Sequence, residues 1–140
     1  MLKTLIATAA FASAQEWDLD TALISRQLAA DSYCGHDNIM THTFENTAVG
    51  FVPTAILYDE KSDTNGYVGY LPSNESIYVV FRGSISLDNW LTDFDATLAH
   101  YEAFPECDCK VHAGFQASLK TVYATLLAEV QRLMLENPTY

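Results

Sequence analysis

Apolar residues fall at helical spacing in two stretches of this chain and at strand spacing between them. Phe115, Leu119, Val122, Leu126, Val130 and Leu133 form one continuous stripe and predict a helix over residues 115–136. Gly114 stands before that stripe and Asn137-Pro138 stops it. A weaker pattern in LDTALISRQLAADSY (19–33) places Leu19, Ala22, Leu23, Ala29, Ala30 and Tyr33 on one face, with Asp20 as the expected N-cap. Arg26 interrupts it.

Between the helices, residues 48–58 read as extended, with Pro53 demanding an edge position or a bend. DEKSDTNG (59–66) is a turn region, Gly66 to Leu71 a strand, PSNES (72–76) a tight turn, and Ile77 to Phe81 a second strand. The run IYVVF shows no polar alternation, which predicts a strand covered on both faces. Strands followed by a long helix define an α/β domain. A parallel strand beside IYVVF is expected after that helix, and the sequence stops one loop beyond it. No internal repeat, low-complexity tract or linker is visible.

Composition narrows the function. With 49% hydrophobic and 18% charged residues the chain is globular. Its formal charge of -11 and pI near 4.4 repel polyanions and exclude nucleic acid as a partner. Acidity also keeps many secreted proteins soluble. Residues 1–14 have the form of a secretory signal: Lys3, an apolar run from Leu5 to Phe11, then Ala12-Ser13-Ala14. An ordinary buried first helix is the alternative. No later segment has the length and apolarity of a membrane anchor. The expectation is a secreted, extracellular domain over residues 15–140.

In an oxidising compartment the three cysteines, Cys34, Cys107 and Cys109, leave one thiol unpaired. Cys107-x-Cys109-x-x-His112, with His36 or His42, has the residue types for a metal, but the histidines are scattered and no metal is expected. No cofactor is expected either. Asn74-Glu75-Ser76 is a glycosylation sequon in a turn.

The chemistry concentrates in YVVFRGSISLDNWLTDF (78–94). A buried strand running into Arg-Gly-Ser puts a small polar residue at its carboxyl end, where open α/β sheets bind ligands. Gly83 permits a close backbone approach or a positive φ. Ser84 offers an N–H and a hydroxyl to an oxyanion, although the residues alone favour Ser84 or Ser86 as the N-cap of a following helix. Leu87, Trp90, Leu91 and Phe94 share a helical face that fits either a lid or permanent core packing. Arg82 needs a counter-charge if buried, with Asp93 or Asp95 as the expected structural partner.

FRGSISLDNWLTDF, then FPECDCKVHAGF, then a helix ending in NPTY, resembles the N-terminal half of the fungal-type class 3 lipases, a family that includes feruloyl esterases. The resemblance extends from Tyr33-Cys34 to Tyr140. It implies the first part of an α/β-hydrolase fold with an incomplete sheet. It puts the oxyanion residue on Ser84, a lid on the segment from Ile85 to Asp93, and a structural hinge on Val111, His112, Gly114 and Phe115. It also implies a local Cys107–Cys109 disulfide, with Cys34 left free, its family counterpart being bonded to the C-terminal region. In α/β-hydrolases the nucleophile sits on a G-x-S-x-G elbow, and none of the serines here lies in one. The triad is expected beyond Tyr140, and the chain alone is expected to be inactive.

Three readings follow. One is part of a secreted ester hydrolase acting on triacylglycerol or related esters at a lipid interface. Another is a feruloyl-esterase-like cell-wall hydrolase, which the CDC-KVH stretch favours. The last is a non-catalytic secreted protein on a degenerate hydrolase scaffold.

Overall fold

Three consecutive strands form an antiparallel meander whose two sides are both apolar, so each side needs a cover. In this computed structural model the residues described are 17–83 and 97–140. The strands are β1 (Val52–Asp59), β2 (Thr64–Leu71) and β3 (Ser76–Phe81), in the order β1-β2-β3. Register pairs Leu57 with Gly66 and Val68 with Val79. Pro53, lacking an N–H for the ladder, sits on the edge strand β1, where the register shifts between Pro53 and Ala55.

One face of the sheet carries Tyr67, Leu71 and Val80, packed with Ile24, Leu28, Ile39, Phe44 and Phe51. The first two of those come from α1 (Leu19–Asp31), and Ile39 from the short α2 (His36–Ile39). The other face carries Leu57 and Val68, packed with Val122 and Leu133 of the long helix α3 (Ala113–Glu136). Helices therefore cover both faces of the sheet, in the α/β class that strands followed by a long helix predict. Two short strands, β4 (Leu98–His100) and β5 (Lys110–His112), pair antiparallel ahead of α3.

Four expectations need correction. The N-cap of α1 is Asp18, not Asp20: its backbone is extended and its carboxylate accepts the Thr21 N–H at 2.8 Å, which leaves Asp20 inside the first turn. The buried face of α1 holds Ile24 and Leu28, whereas Leu19, Ala29, Ala30 and Tyr33 are exposed. Alanine methyls bury too little area to orient a helix against branched side chains.

The stripe of α3 is buried only from Val122 onward. Phe115 is 71% exposed and Leu119 is also exposed, and with Tyr123 and Leu127 they make an open apolar ridge at steps of four. Finally, Val79 and Phe81 of β3 are exposed, because α3 lies mainly over β1 and β2. Among the described residues no strand pairs with the outer side of β3. Among those residues, too, no helix is long and apolar enough to cross a membrane.

Candidate active-site cleft

The antiparallel ladder runs one residue past β3. The Arg82 N–H donates to the Asn65 carbonyl at 2.8 Å. This brings the Arg82 side chain against the turn between β1 and β2, where Nη2 donates to Asp63 Oδ1 at 2.6 Å and to the Asp63 carbonyl at 3.2 Å. Among the described residues the counter-charge of Arg82 is therefore Asp63. The expected partners Asp93 and Asp95 lie outside those residues. The Arg82 side chain is only 11% exposed, and among the described residues its buried Nε has no hydrogen-bond partner.

Gly83 follows. A Cβ there would lie 2.7 Å from the Tyr33 hydroxyl, and its φ is not left-handed. Of the two reasons for a glycine, the close approach is the operative one.

Facing this strand end is the start of α3. His112 is its N-cap, with Nδ1 accepting the Phe115 N–H at 3.3 Å and the imidazole 4.7 Å from the Phe115 ring. The imidazole thus caps the helix start. Gly114 and Phe115 come next along the same wall. Between strand end and helix start opens a cleft of about 690 Å³. Phe81, Phe115 and Leu119 give it an apolar side, and the turn from Asp59 to Asn65 a polar one. In that turn the Ser62 hydroxyl and N–H both donate to Asp59, at 2.7 and 2.8 Å, and hold its carboxyl below the usual range.

The structure thus brings together Arg82, Gly83 and Gly114, with His112 next to them. Ser84, Ile85, Leu87, Trp90, Leu91, Asp93 and Phe94 lie outside the described residues, as do residues 1–14. Ser84 is the residue directly after Gly83 in the chain. Cys107 and Cys109 are disulfide-bonded, which removes both thiolates from any metal set built on them, and Cys34 is free and exposed. Asn74 ends the 3-10 turn Pro72–Asn74, its Nδ2 donating to the Tyr78 hydroxyl at 2.6 Å and to Ser76 Oγ at 3.3 Å.

Sequence reasoning missed Asp63 and Tyr33 as neighbours of the Arg-Gly pair. The first was findable: a tight turn at 72–76 fixes a register that sets residue 65 opposite residue 82.

A covered sheet whose strand delivers Arg-Gly to a cleft at its carboxyl end is the arrangement of an α/β-hydrolase, here with an incomplete sheet. Residues 78–140 match the family Lipase (class 3). Among relatives, the "Secreted alkaline triacylglycerol lipase" of Penicillium cyclopium is 34% identical over 91 residues, which is 62% of this chain and 32% of that protein. The "Lipase" of Rhizomucor miehei is 32% identical over 120 residues, 81% of this chain and 31% of that protein.

In solved structures, the Rhizomucor miehei lipase–propeptide complex superposes with a TM-score of 0.75 at 29% identity, covering 92% of this chain and 41% of that one. A triacylglycerol lipase from Penicillium expansum gives 0.69 at 26% identity, covering 86% and 47%. The chain belongs to the class 3 lipase family. It spans about a third or less of the length of the curated relatives it matches.

Proposed function

We propose that this chain carries the oxyanion loop and the lid of a secreted ester hydrolase acting on triacylglycerol or related esters. The observation that carries this reading is the cleft at the end of β3, lined by Arg82, Gly83 and Gly114, within the stretch that matches the lipase family. Ser84, with its backbone N–H and hydroxyl, would stabilise the oxyanion formed when a serine attacks the ester carbonyl. The alcohol leaves, an acyl-enzyme forms, and water releases the acid. Ile85, Leu87, Trp90, Leu91 and Phe94 would supply the apolar face of a lid that opens at a lipid surface. The nucleophile comes from outside these 140 residues, since no G-x-S-x-G occurs among them.

An oxyanion loop stabilises charge that exists only after attack, so the chain alone should not turn over p-nitrophenyl esters or emulsified triglyceride. Joined in frame to the C-terminal half of a related class 3 lipase, it should gain esterase activity. Ser84→Ala should lower kcat by less than the ~10²–10³ typical of losing a whole donor, because the backbone N–H remains. Trp90→Ala should depress activity on emulsions more than on soluble esters. Turnover by the 140-residue chain, or indifference of the chimera to Ser84→Ala, would refute the assignment.

A further inference from the structure

The turn between β2 and β3 carries a motif whose chemistry the cleft does not use. Asn74-Glu75-Ser76 is the only N-x-S/T triplet in the sequence without a proline at its centre, and it lies on a surface turn. The 3-10 turn Pro72–Asn74 ends at the asparagine. Glu75 then takes a left-handed backbone, φ 44°, and its N–H donates to the Pro72 carbonyl at 3.2 Å. This folds the triplet back on itself. Asn74 Nδ2 donates to Ser76 Oγ at 3.3 Å, and the Ser76 hydroxyl donates to the Asn74 carbonyl at 2.8 Å. The amide nitrogen and the hydroxyl that define the motif are therefore neighbours, in a loop closed by local side-chain bonds.

The surroundings leave room for a substituent. Pro72, Ser73 and Glu75 are exposed, and Asn74 is partly so. The second partner of Nδ2 is the Tyr78 hydroxyl at 2.6 Å. A side-chain amide nitrogen carries two hydrogens, so replacing one leaves the other for Ser76 or Tyr78. None of the turn's residues lines the cleft. The cleft opens at the other end of β3, about 17 Å away at the usual strand rise.

We propose that Asn74 is an N-glycosylation site, taking its oligosaccharide from a lipid-linked diphosphate donor in the secretory compartment. In the transfer, Nδ2 bonds to the anomeric carbon of the first sugar as the bond from that carbon to the diphosphate oxygen breaks. The bonding pair leaves with the lipid diphosphate, and one Nδ2 proton passes to a base of the transferase. The proposal rests on the reading of the chain as secreted, because donor and acceptor must meet in the lumen. A glycan is bulky and hydrophilic. Anchored at the end of the sheet opposite the cleft, it would stay in water while the cleft meets lipid.

The test translates the 140-residue chain in the presence of rough microsomes. One version keeps residues 1–14, and a second has an established secretion signal in their place. Protection from added protease reports entry into the lumen, and a slower band that peptide-N-glycosidase F collapses reports the glycan. The protected wild-type chain should carry a single glycan. Asn74→Gln and Ser76→Ala should abolish it, and Ser76→Thr, which keeps the hydroxyl, should retain it. A glycan on the second version alone would uphold the site while refuting residues 1–14 as a signal. A protected chain without a glycan, or a glycan that survives Asn74→Gln, would overturn the proposal.

Discussion

Gly69→Ala should be among the most damaging single-methyl additions available in this sheet. A Cβ at Gly69 would sit 2.4 Å from Phe51 Cζ, 2.7 Å from Phe51 Cε1 and 2.4 Å from the Val52 carbonyl oxygen. Ordinary carbon contacts lie at about 3.5–4.0 Å, so the methyl intrudes by more than ~1 Å on two neighbours. Neither yields easily. The Val52 carbonyl belongs to β1, and Phe51 is buried against Phe44, Tyr67 and Tyr78 with ring centroids 4.7, 5.7 and 6.2 Å away.

Overpacking of this kind costs about 1–3 kcal/mol, and each aromatic pairing lost adds about 0.5–1.5 kcal/mol. Replacing a strand glycine returns roughly 0.5–1 kcal/mol of backbone entropy. The net expectation is about 2–4 kcal/mol. With m near 1–3 kcal/mol/M, the urea midpoint followed by far-UV circular dichroism should fall by about 1–2 M. Phe51→Leu should relieve part of the clash, so the double variant should recover about 1 kcal/mol relative to additivity.

Gly83→Ala is the internal control. Its intruding contact, 2.7 Å, is to the free end of the exposed Tyr33 side chain, and it should cost less than about 1 kcal/mol. A Gly69→Ala chain within 0.5 kcal/mol of wild type (roughly the scatter of neutral surface changes), or strict additivity with Phe51→Leu, would refute the packing argument.

Other outcomes follow from the same contacts. Tyr67 is buried, its hydroxyl donating to the Leu28 carbonyl at 2.7 Å. Burial first, then the charges of Asp31 and Cys34, push its pKa up. Its contribution is therefore full below the ordinary tyrosine pKa of about 10 and declines as pH rises above that value. Urea midpoints from pH 8 to 11 should fall more steeply for wild type than for Tyr67→Phe; parallel curves would contradict this.

Asp63→Ala leaves the largely buried Arg82 guanidinium without its carboxylate and should destabilise by about 1–3 kcal/mol, discounted because Asp63 is half exposed. Arg82→Met should cost less, and adding Asp63→Ala to it almost nothing more; equal single costs that simply add would argue against the pairing. Val79→Lys, at an exposed position on β3, whose outer side pairs with no strand among the described residues, should reduce aggregation of the isolated chain in sedimentation assays without lowering its melting midpoint.

The layers of the fold were legible because period decided them. The steps of α3 and the unbroken IYVVF run left little choice of element, and the tight turn at 72–76 made an antiparallel hairpin. Faces were less legible than elements. In α1 the alanines that suggested a stripe weigh less than Ile24 and Leu28, and only the sheet opposite decides which side turns inward. For the cleft, Arg82, Gly83, His112 and Gly114 were visible as motif residues, and their roles follow from neighbours contributed by other elements. Asp63 beside Arg82 follows from the hairpin register, whereas Tyr33 against Gly83 comes from a part of the chain that no local pattern connects.

The meander also sets an order of events during synthesis. β1, β2 and β3 pair through short turns, Asp59 with Thr64 and Leu71 with Ser76, so their loop-closure cost is small and hairpins form in microseconds. Leu57 and Val68, by contrast, wait for Val122 and Leu133, which leave the ribosome several tens of residues later. At about 5–20 residues per second that interval lasts seconds, many orders of magnitude longer than the pairing itself. Throughout it the nascent sheet shows one finished side, closed by α1, and one bare side of Ala55, Leu57, Val68, Tyr70 and Ile77. Until α3 arrives, that bare side is the surface on which the nascent chain is most open to aggregation.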